Sequence, residues 1–236
     1  MKRLIVISLS LLILGSFFRC EKYEPPLEPD YTGQIGQVTD IQGNVYKTIG
    51  IGSQIWMAEN LRTTQLANGE PLLNIKDEST WHYLNSPAYC YYNNDSIQYH
   101  NTYGPLYNFL VVSTDSICPT GWHVPSENDW LILADYLGDT QVAGGKLKDF
   151  YGNYWSSPNH CIANNYGFFA LPGGYRKFDT GIFSEKGYSG YWWTSTTIPV
   201  NDKKAWVVTL TNDNTYLATN SRYKNEGVSI RCIKDK

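Results

Sequence analysis

The chain has 236 residues with 22 acidic and 19 basic side chains, a formal net charge of −3. It carries no basic footprint, which argues against nucleic acid as a partner. Aromatic residues make up 15% and charged residues only 17%, the profile of an extracellular β-rich domain with Tyr, Asn, Ser and Gly in its loops.

The first element is a leader. Lys2 and Arg3 precede an apolar run from Leu4 to Leu14, which suits a signal-peptide h-region and is too short for a permanent membrane span. Gly15 to Arg19 then lead to Cys20. A cysteine at that place resembles the lipobox of bacterial lipoproteins, with Arg19 standing where that motif usually has a small residue. The resemblance implies cleavage after residue 19 and lipidation of Cys20, with several acyl chains, which anchor stably where one does not. Cleavage removes Lys2, Arg3 and Arg19 and leaves 16 basic against 22 acidic residues. Residues 20–33 (CEKYEPPLEPDYTG) read as a lipid-anchored, acidic, proline-rich spacer. The expected location is the cell envelope, at the outer membrane or cell surface, with the membrane as a partner through the anchor.

Residues 34–236 are of a size for one domain. Val38 to Leu61 is rich in β-branched residues and broken at Gln42-Gly43-Asn44 and Gly52-Ser53-Gln54, which predicts two or three short antiparallel strands. Residues 62–105 are polar and aromatic and read as loops. One helix is clear: Ser126 is a natural N-cap with Asp129 three residues on, and Trp130, Leu133, Ala134 and Leu137 share one face. Gly138 supplies its stop, so the helix spans about 126–137. A shorter helix is expected near Val142 to Asp149, weakened by Gly144 and Gly145. Ala205 to Leu210 and Gly227 to Ile233 read as strands, and Asn212-Asp213-Asn214 as a hairpin signal. One helix between groups of strands predicts the α+β class.

After Cys20 the chain holds Cys90, Cys118, Cys161 and Cys232, an even set that permits two disulfides in any of three pairings. No two are close enough for a CxxC zinc or redox motif. His82, His100, His123 and His160 are scattered, with neither a nucleophile elbow nor an HExxH motif, so no catalytic set is named. Asn93, Asp95, Asp202 and Asp213 offer oxygen ligands to a structural calcium ion, without EF-hand spacing; such residues are more often plain turn chemistry. No other cofactor is expected. Tyr175, Arg176, Tyr188, Tyr191, Trp192, Trp193, Arg222 and Tyr223 are the ligand-binding candidates, because aromatic faces stack on sugar rings and Arg fixes hydroxyls.

Seven segments occur in order: VTDIQGNVYKTIGIGSQIWMAENL, PAYCYYNND, ICPTGWHVPSENDW, AGGKLKD, GFFALPGGYR, GYWWTST and GVSIRC. Together they resemble the Fibrobacter succinogenes major paralogous domain, common in secreted and lipoprotein chains of Bacteroidota and Fibrobacter, from about Val38 to Asp235. The resemblance implies a C-type-lectin-like domain, related to formylglycine-generating enzymes, with long loops on a disulfide-tied base. It implies that Cys118 pairs with Cys232, leaving Cys90 and Cys161 as a candidate second pair. It assigns Trp122, His123 and Trp130 to the helix entrance. The reactive cysteine pair of the formylglycine-generating enzymes has no counterpart, so the expectation is a non-catalytic envelope lipoprotein that binds a glycan through its loops. The alternative is a structural or protein-interaction component of an envelope complex.

Overall fold

The computed structural model describes residues 28–162 and 166–236; Cys20, its leader and residues 20–27 of the spacer lie outside the described residues. The chain opens with three antiparallel strands, β1 (Ile35–Thr39), β2 (Val45–Ile51) and β3 (Gln54–Met57), turning where the two glycine-containing breaks stand in the sequence. Residues Tyr31 and Gly33, inside the expected spacer, already donate backbone hydrogen bonds to Gly52 and Gly50. That close approach explains Gly50: a Cβ there would run into the Tyr31 carbonyl.

Residues 62–105, expected to be loops, also carry short helices. They contain β4 (Leu73–Asn74), α1 (Glu78–His82), β5 (Ala88–Cys90) and α2 (Ser96–Tyr103), and β6 (Leu106–Tyr107) and α3 (Phe109–Val112) follow. Asp77 and Asp95 start α1 and α2 by accepting hydrogen bonds from the amides of Thr80 and Gln98. β7 (Trp122–His123) then leads into α4 (Glu127–Tyr136), where Ser126 and Asp129 form a full capping box. Trp130, Leu133 and Ala134 are its buried face, as the spacing predicts. α5 (Ala143–Leu147) is the short second helix. Its Gly144 is explained by packing, since a Cβ there would strike the Tyr216 carbonyl.

The C-terminal part is β8 (Tyr175–Arg176), β9 (Phe183–Ser184), β10 (Ser189–Thr197), β11 (Lys204–Thr211), β12 (Ala218–Tyr223) and β13 (Ile233–Lys234). Strands β10, β11 and β12 form an antiparallel sheet, and β13 inserts between β3 and β7 in a five-stranded sheet of order β1-β2-β3-β13-β7. Gly227 to Ile233 was expected as one strand; only Ile233 falls in a named strand, β13, and the backbone of 227–232 is shared among several neighbours. Gly227, Val228 and Ser229 bridge to Arg176, Tyr107 and Trp192, while Ile230 and Cys232 accept from Leu61 and Met57. Mixed strands and short helices give the α+β class.

Two main clusters fill the interior. One gathers Trp56, Trp130, Phe168 and Trp192 under α4, with the Trp56 and Trp130 ring centroids 4.7 Å apart. The other runs from Tyr46 and Tyr107 to Trp193 and Val228 and includes the disulfide. Cys118 and Cys232 are bonded across 114 residues of chain, tying the segment before α4 to the start of β13. The candidate second pair does not form: Cys90 and Cys161 are both free. Cys90 is buried in β5 beside Trp81 and Leu106, whereas Cys161 lies against the carbonyl of Gly145 in α5, so the two thiols belong to different parts of the fold. Burial pushes the Cys90 thiol up to about 12, which keeps it protonated.

Candidate functional site

Arg176 fixes the geometry of one end of the molecule. It was a ligand-binding candidate, yet it is fully buried, with its guanidinium 4.5 Å from the Trp81 ring centroid and 5.0 Å from that of Phe183. Its nitrogens donate to the carbonyls of Gly181, Ile75 and Lys76, which fastens the β8–β9 hairpin to the segment before α1. His82 Nδ1 lies 2.9 Å from the Phe178 carbonyl and holds the tip of the same hairpin. Asn225 donates to the Leu84 carbonyl at 2.9 Å, drawing the end of β12 to the same place.

Phe178 and Tyr223 are thereby stacked, with ring centroids 3.8 Å apart and planes 29° off parallel, and both remain partly exposed. The Lys204 ammonium sits 4.7 Å from the Tyr223 ring centroid. The pair walls a groove of about 470 Å³, with Leu84 and Leu110 contributing apolar surface and Asn85, Asp202 and Lys203 polar groups. An aromatic wall beside amide, carboxylate and ammonium groups suits a ring that is apolar on one face and hydroxylated at its edge.

The other binding candidates are distributed differently. Trp192 and Trp193 are fully buried, their indole N–H groups donating to Asn60 Oδ1 and the Tyr107 carbonyl, both at 2.8 Å. Tyr175 and Tyr191 are buried and pack edge to face. Arg222 lies over both of their rings, at 4.3 and 4.4 Å, and pairs with Glu226 at 3.2 Å. These five aromatic and arginine side chains, with Arg176, are packing groups, because rings alternating along β8 and β10 must cover the core before they can meet a ligand. Tyr188 is exposed on the turn before β10, away from the groove's lining. Of the eight candidates, Tyr223 alone lines the groove; Phe178, an apolar residue between Lys177 and Asp179 in a turn, was the signal that sequence reading passed over.

The calcium candidates are spread as well. Asp95 caps α2, and Asp213 accepts from Thr211 Oγ1 at 2.6 Å. Asp202 and Asp213 stand at opposite ends of β11, and Asn93 occupies a left-handed turn at φ 51°. Among the described residues no group of three or more His, Cys, Asp and Glu side chains is placed to hold a metal ion.

A further cavity, about 790 Å³, is lined by His123, Asp129 and Asp235 beside Glu28, Pro29 and Tyr31 and the C-terminal residues. His123 Nδ1 lies 2.6 Å from Asp235 and Nε2 lies 3.6 Å from Asp129. The neighbouring Asp129 carboxylate raises the imidazole above its ordinary value; burial opposes this and Asp235 adds to it. Burial pushes Asp129 up, but the His123 imidazole and hydrogen bonds from Ser126 leave it lowered overall. The Ser126 hydroxyl is spent on Asp129 at 2.7 Å, not on the imidazole, so the cluster clasps β7, α4 and the C-terminal residues together.

Residues 49–234, most of the chain, match the family described as the Fibrobacter succinogenes major domain. No curated protein matches the chain, and no solved structure does. The chain belongs to the Fibrobacter succinogenes major domain family.

Proposed function

We propose that this chain is a non-catalytic, lipid-anchored protein of the bacterial cell envelope whose C-type-lectin-like domain binds a glycan in the Phe178–Tyr223 groove. The observation that carries the reading is the stacked, partly exposed aromatic pair beside Asn85, Asp202 and Lys203. A pyranose presents C–H groups on its faces and hydroxyls at its rim, and this wall and this edge are complementary to it. Export and anchoring rest on the leader and on Cys20. A disulfide between Cys118 and Cys232 agrees with an oxidising compartment and with the base-tying bond of C-type-lectin-like domains.

The test is a glycan array probed with the full chain produced in an oxidising host, with calcium and again with chelator. Saturable binding to one glycan class supports the reading, and its loss with chelator places a cation at the site. A blank array from folded, disulfide-bonded protein overturns it in favour of a protein partner in an envelope complex.

A further inference from the structure

A third cavity lies on another part of the surface. It measures about 400 Å³ and lies between the β2–β3 region, α2 and the segment around Phe169. Its lining includes Arg231, Lys47, Arg62, Asn101, Tyr154 and Phe169.

Arg231 is 1% exposed and has no carboxylate partner among the described residues. Its terminal nitrogens donate to the carbonyls of Phe168 and Phe169 and to Asn60 Oδ1, but Nε has no hydrogen-bond partner. The guanidinium lies 4.2 Å from the Phe168 ring centroid. Burial lowers it to about 9, with the charge of Glu59 acting the other way. A cation removed from water with one donor unsatisfied, no direct ion pair and only the charge of Glu59 nearby, itself paired with Arg62, is an unfavourable arrangement that an arriving anion relieves.

The acidic groups of the lining are already engaged. Glu59 pairs with Arg62 and accepts the Lys47 amide, and Asp149 accepts from the Gly152 amide at 2.6 Å. The ammonium of Lys47 enters no ion pair among the described residues, and Lys47 is exposed at the rim. Phe169 supplies a further sign. It holds a left-handed backbone at φ 51°, which a bulky residue adopts only when its surroundings impose it, and the residue is 37% exposed. Tyr154, 39% exposed, lies at the same cavity.

We infer that this cavity is a second binding site, taking a carboxylate-bearing sugar ring of the hexuronate type. The carboxylate meets Arg231 and Lys47, the ring lies against Phe169 and Tyr154, and Asn101 meets hydroxyls. The site stands apart from the Phe178–Tyr223 groove and shares no lining residue with it.

The experiment is isothermal titration of the full chain with a galacturonate trimer and with the neutral galactose trimer. The trimer of acids is expected to bind, more weakly as salt rises, and the neutral trimer to bind at least about tenfold less well. Phe169→Asn keeps a residue tolerant of positive φ and removes the ring; Lys47→Met removes a rim charge; each is expected to weaken uronate binding about tenfold with the melting temperature held. Tyr223→Ala is expected to leave uronate binding unchanged, which separates this site from the groove. Equal binding of acid and neutral trimers, no binding of the acid, or undiminished binding by both cavity variants overturns the inference.

Discussion

Replacing Cys118 and Cys232 together by Ala removes a link that closes 114 residues of chain. In the chain-entropy treatment a loop of that length restricts the unfolded state by about 4.8 kcal/mol at 25 °C. Native domains are stable by about 5–15 kcal/mol, so the loss is a large share of the whole. The two sulfurs join the segment before α4 to the start of β13, and no other covalent link among the described residues spans those parts. The assay is urea unfolding followed by tryptophan fluorescence, with Cys90→Ala as a control that leaves the disulfide intact. The midpoint of the double variant should fall by the amount that about 3–5 kcal/mol dictates at the parent's slope. A loss under about 1 kcal/mol at unchanged slope refutes the reasoning, since the bond would then restrict little that the unfolded chain explores.

Other outcomes follow from single side chains. Ser126→Ala removes the capping-box hydroxyl and should cost about 1 kcal/mol, read as a drop in melting temperature. Arg176→Met takes the guanidinium away from the carbonyls of Gly181 and Ile75 and leaves Lys76 only its bond from Asn94 Nδ2, and should cost about 3 kcal/mol or more in denaturant unfolding; stability equal to the parent's contradicts its role as the hairpin fastener. His123 has its imidazole raised above the ordinary histidine value of 6.5, so its clasp on Asp129 and Asp235 is fully present below that pH and is lost as pH climbs through the raised value. The melting-temperature gap between the parent and His123→Gln should therefore be larger at about pH 5.5 than at about pH 8.5. A gap that grows toward alkaline pH contradicts the charged clasp.

Local signals made much of the fold legible. The turn glycines between β1, β2 and β3, and the Ser126–Asp129 cap with its 3.6-residue apolar spacing, act within a few residues of themselves and are readable without tertiary context. α2 was not legible, because Asp95 as a helix cap and Asp95 as a turn or cation ligand look alike in sequence; the helix that follows has only Tyr99 and Tyr103 as buried residues. Residues 227–232 look like a strand, but their partners come from β3, β6, β8 and β10, and pattern alone does not reveal such sharing. Of the groove lining, only Tyr223 was legible as a ligand contact, and Asp202 only as a cation ligand. Composition identified a domain rich in aromatics without saying which rings face out; Trp192, Trp193, Tyr175 and Tyr191, named as binding candidates, fill the interior, and a buried Arg176 held by carbonyls has the same one-letter code as one that grips a sugar. Phe178 becomes visible only when the hairpin brings it against Tyr223.

The central claim is that the Phe178–Tyr223 groove binds a glycan. The most direct measurement is titration of the glycan class found on the array into the parent chain and into Phe178→Ala and Tyr223→Ala, each checked for folding by its melting curve. The account predicts that both variants melt near the parent and bind at least about tenfold more weakly. Binding that survives both substitutions in folded protein contradicts it.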